Sequence, residues 1–148
     1  MIKHKFLIPL IALVVFQTSC DKDDNQEDVR IEGSHFSLQL TNDWEHIQGQ
    51  GFDSYVGTFT NGIEAISYDY GHFAAVNLDA IHQTAEMSYY EETFIDGAPA
   101  KIIKMNVEGI SRLTLFIEKD DSDSGMLWID DPGSDQYYIA VFKTFQFL

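Results

Sequence analysis

Two dipeptides, Asn61-Gly62 and Asp96-Gly97, constrain the fold of this chain more than any other feature of its sequence. Each separates two runs rich in alternating apolar and polar residues, and these runs cover residues 53–60, 63–70, 88–95 and 98–107. Asparagine, aspartate and glycine tolerate the positive φ of a type I′ turn, which is the preferred turn of a two-residue β-hairpin. The sequence therefore predicts two antiparallel hairpins.

Further strands are predicted by the same period of two. Residues 35–40, 112–118 and 126–129 alternate or form short apolar runs that end at polar turns. A period of two places alternate residues on one face of a strand. Ile66, Tyr68 and Tyr70 are expected to share one face of their strand, and so are Leu113, Leu115 and Ile117. Ile103, Met105 and Val107 are expected to face inward.

A helix is expected near the C-terminus. Ser134 can cap the exposed backbone donors of a first turn, and Asp135 suits the positive end of the helix dipole. Apolar residues then follow at helical spacing, namely Tyr138, Val141, Phe142 and Phe145. Phe145 and Phe147 also fit a short closing strand. The segment Asn77–Met87 predicts a short helix or a structured loop.

Together these elements predict an α+β domain, with an antiparallel sheet of about six or seven strands covered by one or two helices. The order and hydrophobic pattern of Phe36–Leu40 with Trp44, Tyr68–Gly71, Asp96–Lys101 and Phe142–Phe147 resemble the PsbP-like fold. This resemblance covers residues 35–148 and implies a layered α+β architecture. It implies no metal role here, because no ligand motif of that family is matched, and a shared fold does not supply an activity.

The N-terminus is typical of a bacterial lipoprotein precursor. Lys3 and Lys5 precede an apolar core of 11 residues, Phe6–Phe16, and Cys20 follows the polar step Gln17-Thr18-Ser19. That core would span only about 16 Å as a helix, which is too short for a hydrocarbon layer of about 30 Å. We therefore expect residues 1–19 to be a signal peptide and Cys20, which resembles the lipobox cysteine, to carry lipid.

The residues after Cys20 predict a tether and a location. Asp21–Asp24 resembles the acidic export signal of bacterial lipoproteins displayed on the outer membrane, although a solvated linker would carry the same charges. Residues 20–30 lack the apolar content needed to order themselves. We expect a lipid-anchored outer-membrane protein that faces the exterior, with a single folded domain over residues 31–148.

Charge excludes one class of partner. Without residues 1–19 the chain carries seven basic and 24 acidic residues, a formal charge of −17. Such a surface repels phosphates and offers no basic stripe, so nucleic acid is not an expected partner. Because Cys20 is the only cysteine, a lipid on it also rules out a disulfide. The folded domain must therefore be stabilised by its core.

No motif in the sequence indicates catalysis or a cofactor. Gly49–Ser54 begins like a dinucleotide fingerprint but has Ser54 in place of the third glycine. His35, His46, His72 and His82 lack the close spacing of a zinc motif. Asp120, Asp121 and Asp123 supply oxygens for calcium but do not match the EF-hand order, so a solvated turn is the favoured interpretation. No cofactor or metal is predicted.

The remaining candidate is an aromatic binding site on the first hairpin. A two-residue turn at Asn61-Gly62 would place Tyr55 and Tyr68 near one another across the two strands. Tyr70, Asp53, Asp69 and His72 would then supply further contacts at the same end of the sheet, where aromatic rings can stack on sugars or anchor a protein. Other aromatic residues that could reach the surface are Trp44, Phe52, Phe73, Tyr89, Tyr90 and Trp128.

These features predict a lipid-anchored binding or accessory module of the cell envelope, with a glycan or a protein as its partner. One alternative is an interaction or inhibitor protein that presents an acidic face to a basic partner. Another is a hydrolytic enzyme, which would need a pocket with convergent polar groups of perturbed pKa. A role without catalysis is the expected one, because no catalytic motif is present.

Overall fold

The computed structural model describes residues 27–72, 74, 76–120 and 123–148, which form ten strands, one α-helix and one short 3-10 helix. The strands β1 to β10 are, in chain order, Asp28–Glu32, Phe36–Thr41, Glu45–Gln48, Tyr55–Thr60, Ala65–Tyr70, Met87–Ile95, Ala98–Val107, Ile110–Glu118, Ser124–Asp130 and Gln146–Phe147. The helix α1 is Asp135–Lys143, and the 3-10 helix is Leu78–Ala80. The expected signal peptide, Cys20 and the tether up to residue 26 lie outside the described residues.

The strands form two antiparallel sheets, and this corrects the predicted fold class. The small sheet has the order β1-β2-β10, and the large sheet has the order β3-β4-β5-β9-β8-β7-β6. The α+β domain predicted from the sequence, with one sheet covered by helices, is therefore wrong. The layered architecture implied by the PsbP-like resemblance is wrong for the same reason. A second sheet occupies much of the face that was expected to lie under helices.

The core lies between the inner face of the large sheet and a cover made of the small sheet and α1. The aromatic ring of Phe36, on β2, contacts Phe59, Tyr68 and Tyr70 of the large sheet and Phe145 beyond α1, with centroids 4.9 to 5.8 Å apart. Helix α1 adds its buried face, formed by Tyr138, Val141 and Phe142. Burial of these large side chains is the main source of stability in a domain with no disulfide among its described residues.

The first residues of β1 fall inside the segment that was expected to be a tether. Asp28 pairs with Thr41, and Glu32 pairs with Ser37, so β1 forms an antiparallel ladder with β2. Arg30 fixes this edge by donating from Nη1 to the hydroxyl of Ser37 at 3.0 Å and to the carbonyl of Thr144 at 3.1 Å. The paired part of the chain therefore begins at Asp28, three residues before the expected boundary at Ile31.

The two predicted hairpins form, but their turns differ. At Asp96-Gly97 both residues have positive φ, 48° and 80°, and Ile95 pairs with Ala98 as a type I′ hairpin requires. At Asn61 the side-chain oxygen instead accepts from the backbone N–H groups of Ile63 and Glu64. The first connection therefore has four residues, and the two-residue turn predicted there is wrong.

The connection between β5 and β6 crosses the outer face of the large sheet, because the strand order separates these strands by β9, β8 and β7. We call its described part, residues 71–72, 74 and 76–86, the crossover segment. Its only helical residues among those described are Leu78–Ala80, in the segment where a short helix or a structured loop was expected. Leu78 donates its backbone N–H to Glu118 of β8, and the carbonyl of Ile81 accepts from Lys101 of β7 at 2.6 Å.

This cover explains why the predicted inner face of β7 is wrong. Ile102, not Ile103, belongs to the core, together with Ala98 and Ala100. Ile103 is 5 % exposed and shares the outer face with its partner Thr114. Apolar residues occur on both faces of β7 because both faces are partly covered, so a period of two alone did not identify the inner one.

Candidate functional site

The tyrosines of the predicted site lie partly in the core. Tyr68 and Tyr70 are each 1 % exposed, whereas Tyr55 is 45 % exposed. Because the connection has four residues, Tyr55 pairs with Tyr70, and Tyr68 pairs with Gly57. The ring of Tyr55 also packs against His35, with centroids 3.9 Å apart. Of the three tyrosines, only Tyr55 offers a ring surface to a ligand.

The polar members of the predicted site are also dispersed. Asp69 alternates with Tyr68 and Tyr70 and therefore lies on the outer face, opposite Met126 and Val56. Asp53 lies in the loop before β4, and His72 follows the end of β5. The structure therefore brings Tyr55 close to the loop of Asp53 but does not unite the six residues in one site.

Tyr68 and Tyr70 have a packing role that involves two glycines. Tyr68 lies across Gly57 of β4, where a Cβ atom would stand 2.5 Å from the tyrosine hydroxyl and 2.7 Å from the carbonyl of Ile47. Tyr70 lies across Gly125 of β9, where a Cβ would stand 2.7 Å from its ring. An aromatic ring over a strand glycine covers backbone that would otherwise be left without packing. Packing in the core therefore explains the positions of Tyr68 and Tyr70.

A hydrogen-bonded group lies where Tyr68 reaches the edge of the sheet. Its hydroxyl is 2.8 Å from Nε2 of His46 and 3.2 Å from the side-chain oxygen of Gln48, which also accepts from the hydroxyl of Ser34. Burial lowers the pKa of His46, so its imidazole is neutral at neutral pH. Burial raises the pKa of Tyr68, and the hydrogen bond with Ser34 offsets this in part.

The acidic turn after β8 is closed by its own hydrogen bonds. The backbone N–H of Asp123 donates to the carboxylate of Asp120, and the hydroxyl of Tyr70 donates to the carboxylate of Asp123 at 3.0 Å. Asp121 lies outside the described residues. Within the described ranges, no group of three or more histidine, aspartate or glutamate side chains is arranged to hold a metal ion.

A groove of about 650 Å³ lies on the outer face of the large sheet. We call it the outer groove. It is built by the crossover segment, the hairpin of β6 and β7, and the end of β8 with the residue after it, and its lining residues are Asn77, Leu78, Asp79, Glu92, Thr93, Phe94, Pro99, Ala100, Lys101, Glu118 and Lys119. This volume lies in the range of sites that bind small molecules or peptide side chains.

The outer groove combines an aromatic surface with fixed charges. Phe94 is 75 % exposed, although it lies in a strand, one residue before the end of β6, and not in a loop. Lys101 has a side chain that is only 13 % exposed, and its ammonium group lies 3.1 Å from Glu92 and 2.6 Å from the carbonyl of Ile81. Tyr90 donates to the same glutamate. The lysine is thus held in place before any ligand arrives.

The protonation states in the outer groove suit binding. Burial lowers the pKa of Lys101, but hydrogen bonds with Glu92 and Tyr90 outweigh this effect and raise it overall. The hydrogen bond from Tyr90, followed by that from Lys101, lowers the pKa of Glu92. Both groups are therefore charged at neutral pH, and this pair offers neither a free amine nor a carboxylic acid for proton transfer.

Comparison with known proteins assigns no family. No protein-family model matches the chain, and a search of curated proteins finds no significant match. As for the membrane, the described part of the chain contains no helix with the length and apolar character needed to cross it.

A second cavity, of about 410 Å³, contains two residues of the predicted site, Asp53 and Tyr55. It is lined by the single continuous stretch of residues 48–55, and Phe52 within it is fully exposed. The conformation of this one loop alone determines the shape of the cavity. The outer groove has walls from three strands and the crossover segment, so it is the better-formed site.

The residues of the outer groove were not identified from the sequence, although one signal was present. Phe94 and Ile95 are adjacent apolar residues in a strand, so one of them must face away from the core. No local pattern in the sequence identified Lys101 as a site residue. Its partners Glu92 and Ile81 come close to it only because β6 pairs with β7 and because the crossover segment passes over this face.

Proposed function

We propose that this protein is a lipid-anchored binding module of the cell envelope, and that its ligand occupies the outer groove. The observation that carries the proposal is the combination of an exposed aromatic ring, Phe94, with the preset ion pair of Lys101 and Glu92. An aromatic surface gives contact area, and fixed charges give orientation without a further loss of side-chain entropy. Glycans and peptides both offer groups that complement such a surface.

A catalytic role has less support. The ion pair in the groove is fully charged at neutral pH, and the neutral imidazole of His46 lies in the hydrogen-bonded group with Tyr68, on the opposite face of the sheet. General acid-base catalysis needs a group that changes protonation near the working pH within reach of the substrate. The outer groove has the shape of a site, but its ion pair does not provide this chemistry.

The test of binding compares two exposed aromatic residues. The full chain, purified in detergent, would be screened against a glycan array and a peptide array, and the variants Phe94→Ala and Phe52→Ala would be compared on every positive probe. We expect Phe94→Ala to weaken binding about tenfold, a typical effect for an aromatic contact, and Phe52→Ala to leave it unchanged. Binding that depends on Phe52 instead would place the site in the loop cavity and contradict the proposal.

The proposed anchor has its own test. Cells that express the chain would be supplied with an alkyne-labelled fatty acid, and Cys20→Ser would serve as the matched control. We expect label on the native chain and none on the variant, and protease treatment of whole cells to remove the native domain because it faces the exterior. An unmodified thiol at Cys20, detected by mass spectrometry of the membrane fraction, would contradict the lipid anchor.

A further inference from the structure

Strand β6 forms an unpaired edge of the large sheet. It has nine residues, Met87–Ile95, and among the described residues it pairs only with β7. In an antiparallel pair, alternate residues direct their N–H and C=O groups away from the partner strand. Such an edge is a template onto which another extended chain can add as a strand. The opposite edge strand, β3, has only four residues.

The outer groove opens beside this edge. Tyr90, Glu92 and Phe94 alternate along β6 and lie on its outer face, and Glu92 and Phe94 line the groove. A chain added along β6 would therefore place alternate side chains next to the groove. Backbone pairing and side-chain contact would occur together, which is the usual arrangement when a peptide binds by strand addition.

The negative charge of the protein favours a basic segment as the occupant of this edge. From Glu27 to Leu148 the sequence holds 21 acidic and six basic residues. Five of the six basic side chains already lie within 4 Å of a carboxylate, and these are Lys101, Lys104, Arg112, Lys119 and Lys143. Along the edge and groove, Glu92 has a side chain that is 61 % exposed, and Glu118 has no basic partner among the described residues. A basic segment would be attracted and an acidic one repelled.

We propose that β6 binds an extended, basic segment of another protein as an added strand, with a lysine or arginine beside Glu92 and an apolar residue beside Phe94. This inference rests on the proposed function, because it assigns a ligand class to the outer groove. A second copy of this chain is a poorer occupant. Antiparallel pairing of two β6 strands about their centres would bring the two Glu91 side chains opposite each other, and like charges in that position are destabilising.

The test uses three synthetic peptides and the full chain in detergent. The first peptide has nine residues that alternate lysine with threonine or valine and include one phenylalanine two positions from a lysine. The second replaces lysine with glutamate. The third keeps the basic sequence but carries an N-methyl group on every backbone amide, which removes the donors from both edges of the peptide and so blocks strand pairing. Binding would be measured by calorimetry and mapped by NMR on the amides of β6.

We expect the first peptide alone to bind and to protect β6 amides from hydrogen exchange. Glu92→Lys should weaken this binding about tenfold, as expected for reversal of a contacting charge, while the matched variant Glu45→Lys on the other edge strand should change it little. Thermal midpoints of both variants would show that each is folded.

Three results would overturn the strand-addition proposal. Equal binding of the N-methylated peptide would show that backbone pairing is not involved, and the outer groove would remain a side-chain site. Failure of all three peptides while a glycan binds in a Phe94-dependent way would leave the proposed function intact and exclude the peptide. Concentration-dependent dimers that protect β6 amides without peptide would identify a second copy as the occupant.

Discussion

At the scale of single residues, Gly57 shows how closely the core is fitted. A methyl group at this position would overlap the hydroxyl of Tyr68 and the carbonyl of Ile47. The backbone carbonyl cannot move without disturbing the pairing of β3 with β4. We expect Gly57→Ala to lower the free energy of unfolding by about 1–3 kcal/mol, the usual cost of overpacking, in urea denaturation.

The matched control for Gly57→Ala is Thr58→Ala. Thr58 is the next residue of the same strand and lies on the outer face, away from Tyr68. This variant removes atoms and adds none, so it should cost less than the glycine substitution. Equal loss of stability in the two variants would mean that β4 is sensitive to any change and that the contact of Tyr68 with Gly57 is not special.

His46 makes stability depend on pH below neutrality. Burial lowers its pKa below the ordinary value of 6.5, so the folded state favours the neutral imidazole. This contribution is fully present above about pH 6.5 and is lost as the pH falls through the lower pKa of the folded state. Urea denaturation of the native chain and of His46→Gln at about pH 7.5 and about pH 5 would measure it.

We expect the native chain to lose more stability than His46→Gln between these two pH values. Glutamine can still hydrogen-bond to Tyr68 but does not titrate, so the carboxylates that affect both proteins cancel in the comparison. The same loss in both proteins would assign the acid sensitivity to groups other than His46.

At the scale of elements, the two acids in the middle of β6 protect an open edge. Glu91 and Glu92 lie on opposite faces of the strand, each bound to one lysine, at 2.8 Å and 3.1 Å. Charges on an edge strand oppose self-association. We expect Glu91→Gln combined with Glu92→Gln to produce dimers or larger species in analytical ultracentrifugation, since the repulsion between copies is reduced.

The control for this double variant is Glu45→Gln on β3. That edge strand has four residues and offers too short a ladder for stable pairing. It should therefore remain monomeric under the same conditions. If Glu45→Gln also associates, the overall loss of charge is responsible and β6 has no special part in it.

The elements also show what the sequence could and could not predict. Strands β6 to β9 and α1 with its Ser134 cap were predicted within a few residues, because alternation and turn residues are local signals. The register of β4 with β5 was predicted wrongly by two residues. Asn61 uses its side chain to cap a longer turn, and the dipeptide alone does not distinguish this from a type I′ turn.

The fold class and the outer groove could not be predicted from local sequence patterns, because they depend on contacts between segments that are far apart in the chain. Residues 28–30 of β1 continue the charged segment that was expected to be a tether, and they become part of a strand only because β2 is there to pair with them. That pairing is part of the small sheet, which adds three strands to the seven of the large sheet. Likewise, Phe94 and Lys101 become neighbours in a groove only after the crossover segment has covered the outer face.

At the scale of the whole molecule, the imbalance of 21 acidic and six basic residues from Glu27 onward dominates the electrostatics. Repulsion among the unpaired acids destabilises the compact state, and salt screens it. We expect the thermal midpoint to rise when sodium chloride increases from about 20 mM to about 500 mM. A midpoint that falls would show that the five ion pairs outweigh the general repulsion.

The strand order has a consequence for how the chain folds. Two meanders, β3-β4-β5 and β6-β7-β8-β9, are each built from short connections, so their hairpins form from local contacts. They join along β5 and β9, where Tyr70 meets Gly125, residues that are far apart in sequence. Joining them is expected to limit the folding rate, so Leu127→Ala at this seam should slow refolding more than Ile102→Ala within the second meander. Until that step is complete, β5 and β9 are both open edges, and the folding chain is then at its most vulnerable to misassembly.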